Sequence, residues 1–210
     1  MAALLVSIFF LYLLYLLWEA HTARVARKKL AHVVHVNGTR GKSTVSRLIE
    51  AGLRAGGLRV FCKTTGTDPM TINVNGREEP IRRRGKANIK EQIAILRRAA
   101  AQDAQVLVVE CMAITPEFQQ ASQRDILRAD IGVITNVRRD HTDVMGDTLP
   151  QIAEALCHTV PQGGVLFTAE TVMAERLKTA AEKNGSSFVC AEVRGDEGTL
   201  DFPENVALAL

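Results

Sequence analysis

The stretch His32-Val33-Val34-His35-Val36-Asn37-Gly38-Thr39-Arg40-Gly41-Lys42-Ser43-Thr44 decides how the rest of the chain is read. A short apolar run breaks into two glycines, then Lys42, Ser43 and Thr44, and a helix-like pattern continues through Ala55. That is the layout of a strand feeding a phosphate-binding loop and a helix N-terminus. Backbone N–H groups at such a helix start face an anion, and the helix dipole adds roughly half a positive charge. Lys42 would reach the β- and γ-phosphates of a nucleoside triphosphate, and the Ser43 hydroxyl would sit on Mg²⁺. The alternative is an incidental glycine turn before a helix, and the context on both sides argues against it.

Toward the N-terminus, Ala2–Trp18 carries no charge and is mostly Leu, Ile, Phe, Val or Tyr. The run is about the minimum length for a membrane-spanning helix. Tyr12, Tyr15 and Trp18 lie in its second half, where an interfacial aromatic belt fits. Arg24, Arg27, Lys28 and Lys29 follow, and no Lys or Arg precedes the run. The positive-inside rule then places the N-terminus outside and the chain after about residue 20 in the cytoplasm. A cleaved signal peptide would want basic residues before the run and small residues at a cleavage site. A buried core helix is the other competitor. The expectation is a single-pass anchor in the cell membrane over residues 1–19, a basic linker over 20–31 and an ATP-binding domain over 32–210.

A chain of 210 residues has room for one α/β domain with a real core. The net charge of +3 argues neither for nor against nucleic acid, and none is assigned as a partner. Cys62, Cys111, Cys157 and Cys190 are widely spaced, with no Cys-x-x-Cys pair. They look like neither a zinc site nor a disulfide framework, and a reducing compartment is the simple reading.

Beyond the loop, apolar runs alternate with amphipathic segments. Strands are expected at His32–Val36, Leu58–Cys62, Gln105–Glu110, Ile131–Thr135, Gly164–Thr168 and Ser187–Cys190. Helices are expected at Ser43–Ala55, Asn88–Gln102, Pro116–Leu127, Leu149–Val160 and Thr171–Asn184. Continuous Val/Ile/Leu strands separated by helices argue for an α/β fold, a parallel sheet with helices on both faces. Ligands on such sheets bind outside the carboxyl ends of the strands. Between Lys63 and Lys86 the pattern dissolves into Thr, Gly, Pro and Arg, and Thr71–Arg77 reads as a small hairpin turning on Asn75-Gly76. A long excursion beside a phosphate loop is more often functional than idle.

Three further clusters fall at strand ends. Glu110 closes a buried strand, where a carboxylate is costly unless a cation or donors meet it. It reads equally as a capping acid or a metal ligand. Thr135-Asn136-Val137-Arg138-Arg139-Asp140-His141-Thr142-Asp143 holds an Asp-His-x-Asp group that can bind a metal or position phosphate, or be a solvated loop. Lys63-Thr64-Thr65-Gly66-Thr67-Asp68 offers hydroxyls and a glycine to a γ-phosphate, weakly on its own.

The spacing sharpens the reading. The common phosphate loop has a glycine five positions before its Gly-Lys pair, where this chain has Val36; Gly38 stands only three before Gly41. The short form Gly-Thr-x-Gly-Lys-Ser, then a strand-end Glu, then Asn-x-x-x-Asp-His-x-Asp, resembles the Mur ligase superfamily of ATP-dependent amide ligases. Lys63-Thr64-Thr65-Gly66-Thr67-Asp68, Glu110-Cys111-Met112-Ala113 and Ile131-Gly132-Val133-Ile134-Thr135-Asn136-Val137 extend the likeness, with Asp140-His141-Thr142-Asp143-Val144-Met145-Gly146. Together they are similar to the ligase subunits of poly-γ-glutamate synthases, which also begin with one membrane helix. The resemblance covers nearly the whole chain.

It implies that Gly38, Thr39, Arg40, Gly41, Lys42, Ser43 and Thr44 hold ATP, and that Ser43, Glu110 and His141 hold magnesium. Lys42, Glu110 and His141 would be the catalytic set. Thr64, Thr65, Asn136, Asp140 and Asp143 would support the site, and Asn205 would lie against adenine. The implied reaction activates a glutamate γ-carboxylate as an acyl phosphate and joins it to a glutamate amine. The implied partners are glutamate, anionic polyglutamate, the membrane and other membrane subunits of a polymer synthase and export complex. Two departures stand out. Mur ligases usually carry a further domain, whereas this sequence stops at Val206–Leu210 inside a helix that ought to continue. The carbamylated lysine that several of them use has no counterpart, since no lysine falls between Asp143 and Leu177. Rival readings are a ligase for another amino acid and a non-catalytic nucleotide-binding scaffold of an export complex. A P-loop kinase or transport ATPase fits the loop spacing and the Asp-His-x-Asp cluster poorly.

Arg77, Arg82, Arg83, Arg84 and Lys86 form a basic run, either a solvated loop or a landing strip for polyglutamate carboxylates or anionic lipid. On the second reading, neutralising Arg82–Arg84 raises the apparent KM for a polyglutamate primer; an unchanged value removes it.

Overall fold

Each expected strand forms, with ends displaced by a residue or two, in a computed structural model that describes residues 1–66, 68–83, 85, 87–193 and 203–209. Six strands run parallel: β1 (His32–Asn37), β2 (Val60–Lys63), β5 (Val106–Glu110), β6 (Ile131–Ile134), β7 (Val165–Thr168) and β8 (Ser187–Cys190). The expected hairpin is also present, as β3 (Met70–Ile72) and β4 (Glu78–Pro80), but it does not stand apart. β3 pairs antiparallel with β2, so the sheet is mixed, in the order β4-β3-β2-β5-β1-β6-β7-β8. Asn73 makes the turn, its Oδ1 accepting from the Asn75 and Arg77 N–H groups at 3.0 and 3.1 Å.

The period-2 alternation of the central strands feeds two layers. Val34 and Val36 of β1, Val60 and Cys62 of β2 and Val108 of β5 pack under α2 (Lys42–Ala55), together with Leu208, which follows α8 (Pro203–Ala207). On the opposite face, Val33, Phe61, Leu107 and Val109 pack against α3 (Glu91–Ala101). Further along that face, Ile134 and Leu166 meet α6 (Leu149–Cys157) and α7 (Ala174–Lys183). A capping box on Thr148 and Gln151 starts α6.

Two segments differ from expectation. The helix expected over Pro116–Leu127 is α-helical only in α4 (Pro116–Gln120) and widens to a π-helix over Ala121–Leu127. The two stretches together carry polar side chains onto β1. Gln123 Oε1 lies 2.8 Å from His35 Nδ1, and Asn37 Nδ2 donates to Gln119 Oε1 at 2.8 Å. The second difference is at the N-terminus. α1 (Ala2–Lys29) is one helix, long and apolar enough to cross a membrane, and it absorbs most of the stretch expected to be a linker. Ala23 and Ala26 are buried, and Arg27 reaches Asp130 Oδ1 at 2.8 Å, an oxygen that also accepts from the Val33 N–H. Its basic composition read as a linker; Ala23 and Ala26, three residues apart, together with Arg27 are what dock it.

His35 gives the fold an acid sensitivity. Its imidazole is fully buried, and burial pulls its pKa down to about 4, with the bond to Gln123 opposing. In the unfolded chain it titrates near 6.5. As pH falls from about 6.5 the unfolded state takes up the proton first, so stability present above 6.5 is lost progressively down to about 4. The full loss is about 3 kcal/mol. Denaturation midpoints measured from pH 7 to 4.5 should fall more steeply for this chain than for a His35→Gln variant. An equal slope would exclude His35 as the source.

Candidate active site

The loop between β1 and α2 turns on two glycines with positive φ, Gly38 at 129° and Gly41 at 78°. A Cβ on Gly38 would come within 2.9 Å of the Thr135 backbone nitrogen, so only glycine lets the loop lie against the end of β6. The loop is then strapped to the segment after β6. Thr135 Oγ1 donates to Arg40 O at 2.6 Å, Asn136 Nδ2 donates to the same oxygen at 3.0 Å, and Asn136 Oδ1 accepts from the Arg40 N–H at 3.1 Å. Thr39 closes the strap, accepting on Oγ1 from the Arg138 N–H at 3.0 Å. Asn136, expected to support a metal site, therefore positions the loop backbone.

Lys42 Nζ donates to Gly38 O and Thr39 O at 2.7 and 3.2 Å, which holds the ammonium over the loop. Burial draws its pKa below the ordinary value, with the charge of Glu110 opposing. Glu110 is only 3% exposed, and its Oε2 accepts from Ser43 Oγ at 2.8 Å and from the Thr65 N–H at 2.6 Å. Lys42, Thr65, Glu110 and His141 line one cavity of about 280 Å³. His141 has φ 48° at the start of α5 (Thr142–Met145), 45% of its side chain exposed, and its N–H donates to Asp140 Oδ1 at 3.0 Å. Asp140 in turn pairs with Arg40 at 3.0 Å. Asp143 is exposed and makes no hydrogen bond or ion pair among the described residues, so it does not join the group. Thr64 is buried and bonds Met70 O through its N–H, shaping the turn rather than lining the cavity. Thr67 lies outside the described residues.

Ser43 and Glu110 supply hard oxygen donors of the type that Mg²⁺ takes, with His141 on the same cavity wall. No group of three or more His, Cys, Asp or Glu side chains converges among the described residues. A second cavity of about 970 Å³ opens on the other side of the loop, lined by Gly41, Thr44, Asn136, Glu170 and Asn205 among others. Asn205 is buried, and its amide lies so close to Gly41 that a Cβ there would meet it at 2.8 Å.

Two carboxylates not singled out in the sequence complete the site. Glu170, just past β7, accepts from the Val137 and Val172 N–H groups at 2.8 Å each and fixes the start of the strap. The strand-end rule that picks out Glu110 applies to it as well. Glu91 pairs with fully buried Lys63 at 3.0 Å and with Arg83 at 2.7 Å. Burial acts to raise the Glu91 carboxyl, and Arg83 and Lys63 outweigh it. Arg83, read as part of the basic run, stands on the wall of the smaller cavity. Arg84 and Lys86 lie outside the described residues.

Removing the strap tests its role. Asn136→Ala deletes two hydrogen bonds worth about 1 kcal/mol each, so ATP should bind about 10- to 30-fold more weakly at an unchanged Mg²⁺ requirement. A shifted Mg²⁺ requirement at intact ATP affinity would return Asn136 to the metal site.

Comparison with known proteins agrees with this geometry. The model of the Mur ligase middle domain matches residues 36–198. The chain is 40% identical over 186 residues to the capsule biosynthesis protein CapB of Bacillus anthracis, covering 84% of this chain and 40% of that protein. It is 40% identical over 187 residues to the PGA synthase CapB of Bacillus subtilis (strain 168), covering 84% and 47%. It therefore spans less than half the length of either relative. Among solved structures, an FPGS–AMPPCP complex superposes with a TM-score of 0.64 at 19% identity, over 85% of this chain and 52% of that one, a likeness of fold. With the short loop strapped to β6 and Glu110 set against Ser43, the match over most of its length shows that the chain belongs to the Mur ligase middle-domain family.

Proposed function

We propose that the chain is the nucleotide-binding part of an ATP-dependent amide ligase. On this reading it activates a glutamate γ-carboxylate as an acyl phosphate and joins it to a glutamate amine in poly-γ-glutamate synthesis. The observation that carries the reading is the convergence of Lys42, Glu110 and His141 on one cavity beside the strapped loop, with the Ser43 hydroxyl donating to Glu110. α1 would hold the domain to the membrane on its cytoplasmic side, near further subunits that take the polymer.

On this reading the N–H groups at the start of α2 and the Lys42 ammonium would face the phosphates, where positioning and charge neutralisation matter more than covalent help. Ser43, Glu110 and His141 would hold Mg²⁺, which supplies further positive charge to the transferring phosphoryl group. The carboxylate oxygen attacks the γ-phosphorus as the bond to the β-phosphate oxygen breaks, giving ADP and the acyl phosphate. The incoming amine then attacks the acyl carbon; phosphate leaves and the amine loses a proton. The larger cavity past Gly41, with Asn205 on its wall, has room for the nucleoside.

ADP release by membranes carrying the chain, with and without glutamate, tests this. Glutamate-stimulated release should appear and fall about 100-fold or more in Lys42→Ala, the scale of losing one charge-stabilising group. ATP binding without stimulation by glutamate would favour the scaffold reading instead.

A further inference from the structure

The strands give the domain a direction. Their carboxyl ends carry the Gly38–Gly41 loop, Glu110 and the strap that begins at Thr135. α3 runs against them. Glu91 in its first turn meets Lys63, the last residue of β2, while the backbone oxygen of Asp103 beyond its last turn accepts from Arg59 Nε, just before β2, at 2.7 Å. α1 runs the same way as α3. Arg27 is tied at the amino ends, to Asp130 just before β6. Glu19 is tied at the other end, to Lys90 just before α3, at 3.0 Å. Between them Arg97 bonds Glu19 O and Thr22 Oγ1 and stacks 4.9 Å over the Trp18 ring. Ala26 is buried in the same cluster as Ile95 and Ala99.

Followed backward from Lys29 to Glu19, α1 therefore climbs the sheet from its amino ends to its carboxyl ends, about 15 Å at 1.5 Å per residue. The helix does not break there. From Trp18 to Ala2 it projects past that level as an exposed apolar rod of about 25 Å.

We infer that the face carrying the nucleotide loop is the face turned toward the bilayer, with lipid headgroups as the surface it meets. The inference rests on reading α1 as a membrane span, and it adds a direction that the span alone does not give. Glu19, the first charge after the apolar run, is already paired to the domain, so no loose spacer separates bilayer from site. Exposed Arg138 and Arg139 sit in the loop after β6 at that end, where lipid phosphates can meet them, though Asp143 and Asp147 lie nearby. A polymer made there emerges at the membrane surface, beside α1.

Energy transfer from the full chain in vesicles to a headgroup-labelled lipid reads the direction. One dye goes on Cys190, exposed at the carboxyl end of β8. In a Cys190→Ser background the other goes on Gln162→Cys, exposed before the amino end of β7. Cys62 and Cys111 are buried, and burial pushes the Cys157 thiol up to about 12, so these label slowly. The two sites share a strand pair and differ in height by roughly the strand length, about 13 Å. Transfer from residue 190 should exceed that from 162 by about twofold or more. Equal or reversed transfer, in a chain that floats with the vesicles, overturns the direction and leaves the membrane reading intact. A chain that fails to float removes the membrane reading and this inference together.

Discussion

A buried carboxylate at the end of β5 is the constraint around which the site is built. Left without partners, a charge as enclosed as Glu110 would cost several kcal/mol. Its donors come from two separate places, the Ser43 hydroxyl in the first turn of α2 and the Thr65 N–H after β2. Lys42 adds positive charge from the same helix start. Satisfying one residue thus sets the height of α2 against the sheet and the path of the chain after β2. It leaves Lys42, Thr65 and Glu110 facing one cavity. The requirement that makes the acid tolerable in the core is the same one that assembles this cavity wall.

The loop itself is held from the other side. Thr135 and Asn136 grip Arg40 through its backbone, and Glu170 fixes the next residue, Val137. The phosphate loop is thereby suspended between two strand ends on either side of β1, that of β5 and that of β6. Placement of this kind favours electrostatic stabilisation, which depends on dipoles that need not reorganise.

Much of this was legible in the sequence because the signals are local. Val106–Val109 is buried on both faces and reads as an unbroken apolar run, and Val33–Val36 is interrupted only by His35; Gly38 and Gly41 mark backbone that a side chain would obstruct. What was not legible depends on partners far along the chain. Nothing near Ala121–Leu127 announces a π-helix, and the partner that its Gln123 meets, His35, lies 88 residues away. The basic stretch after Trp18 read as a linker because Asp130, which receives Arg27, lies 103 residues away. Asp143 looked like a member of the site by proximity to His141, yet the short helix α5 leaves it in solvent. Glu170 was missed for want of a surrounding motif.

The polar contacts under β1 carry a consequence for how this sequence can vary. His35 and Asn37 point into the buried layer under β1, where Gln123 and Gln119 receive them, and Gln123 Nε2 also donates to Ala129 O at 3.0 Å. Changing one member of such a pair strands the other in the core, whereas replacing both by apolar groups of like volume can be nearly neutral. Positions 88 residues apart are therefore energetically coupled, the cost of a change at one depending on the residue at the other. A shift of β1 by one residue would also turn both pegs into the opposite, valine-lined layer, so the pair acts as an indexing key for the strand that leads into the loop.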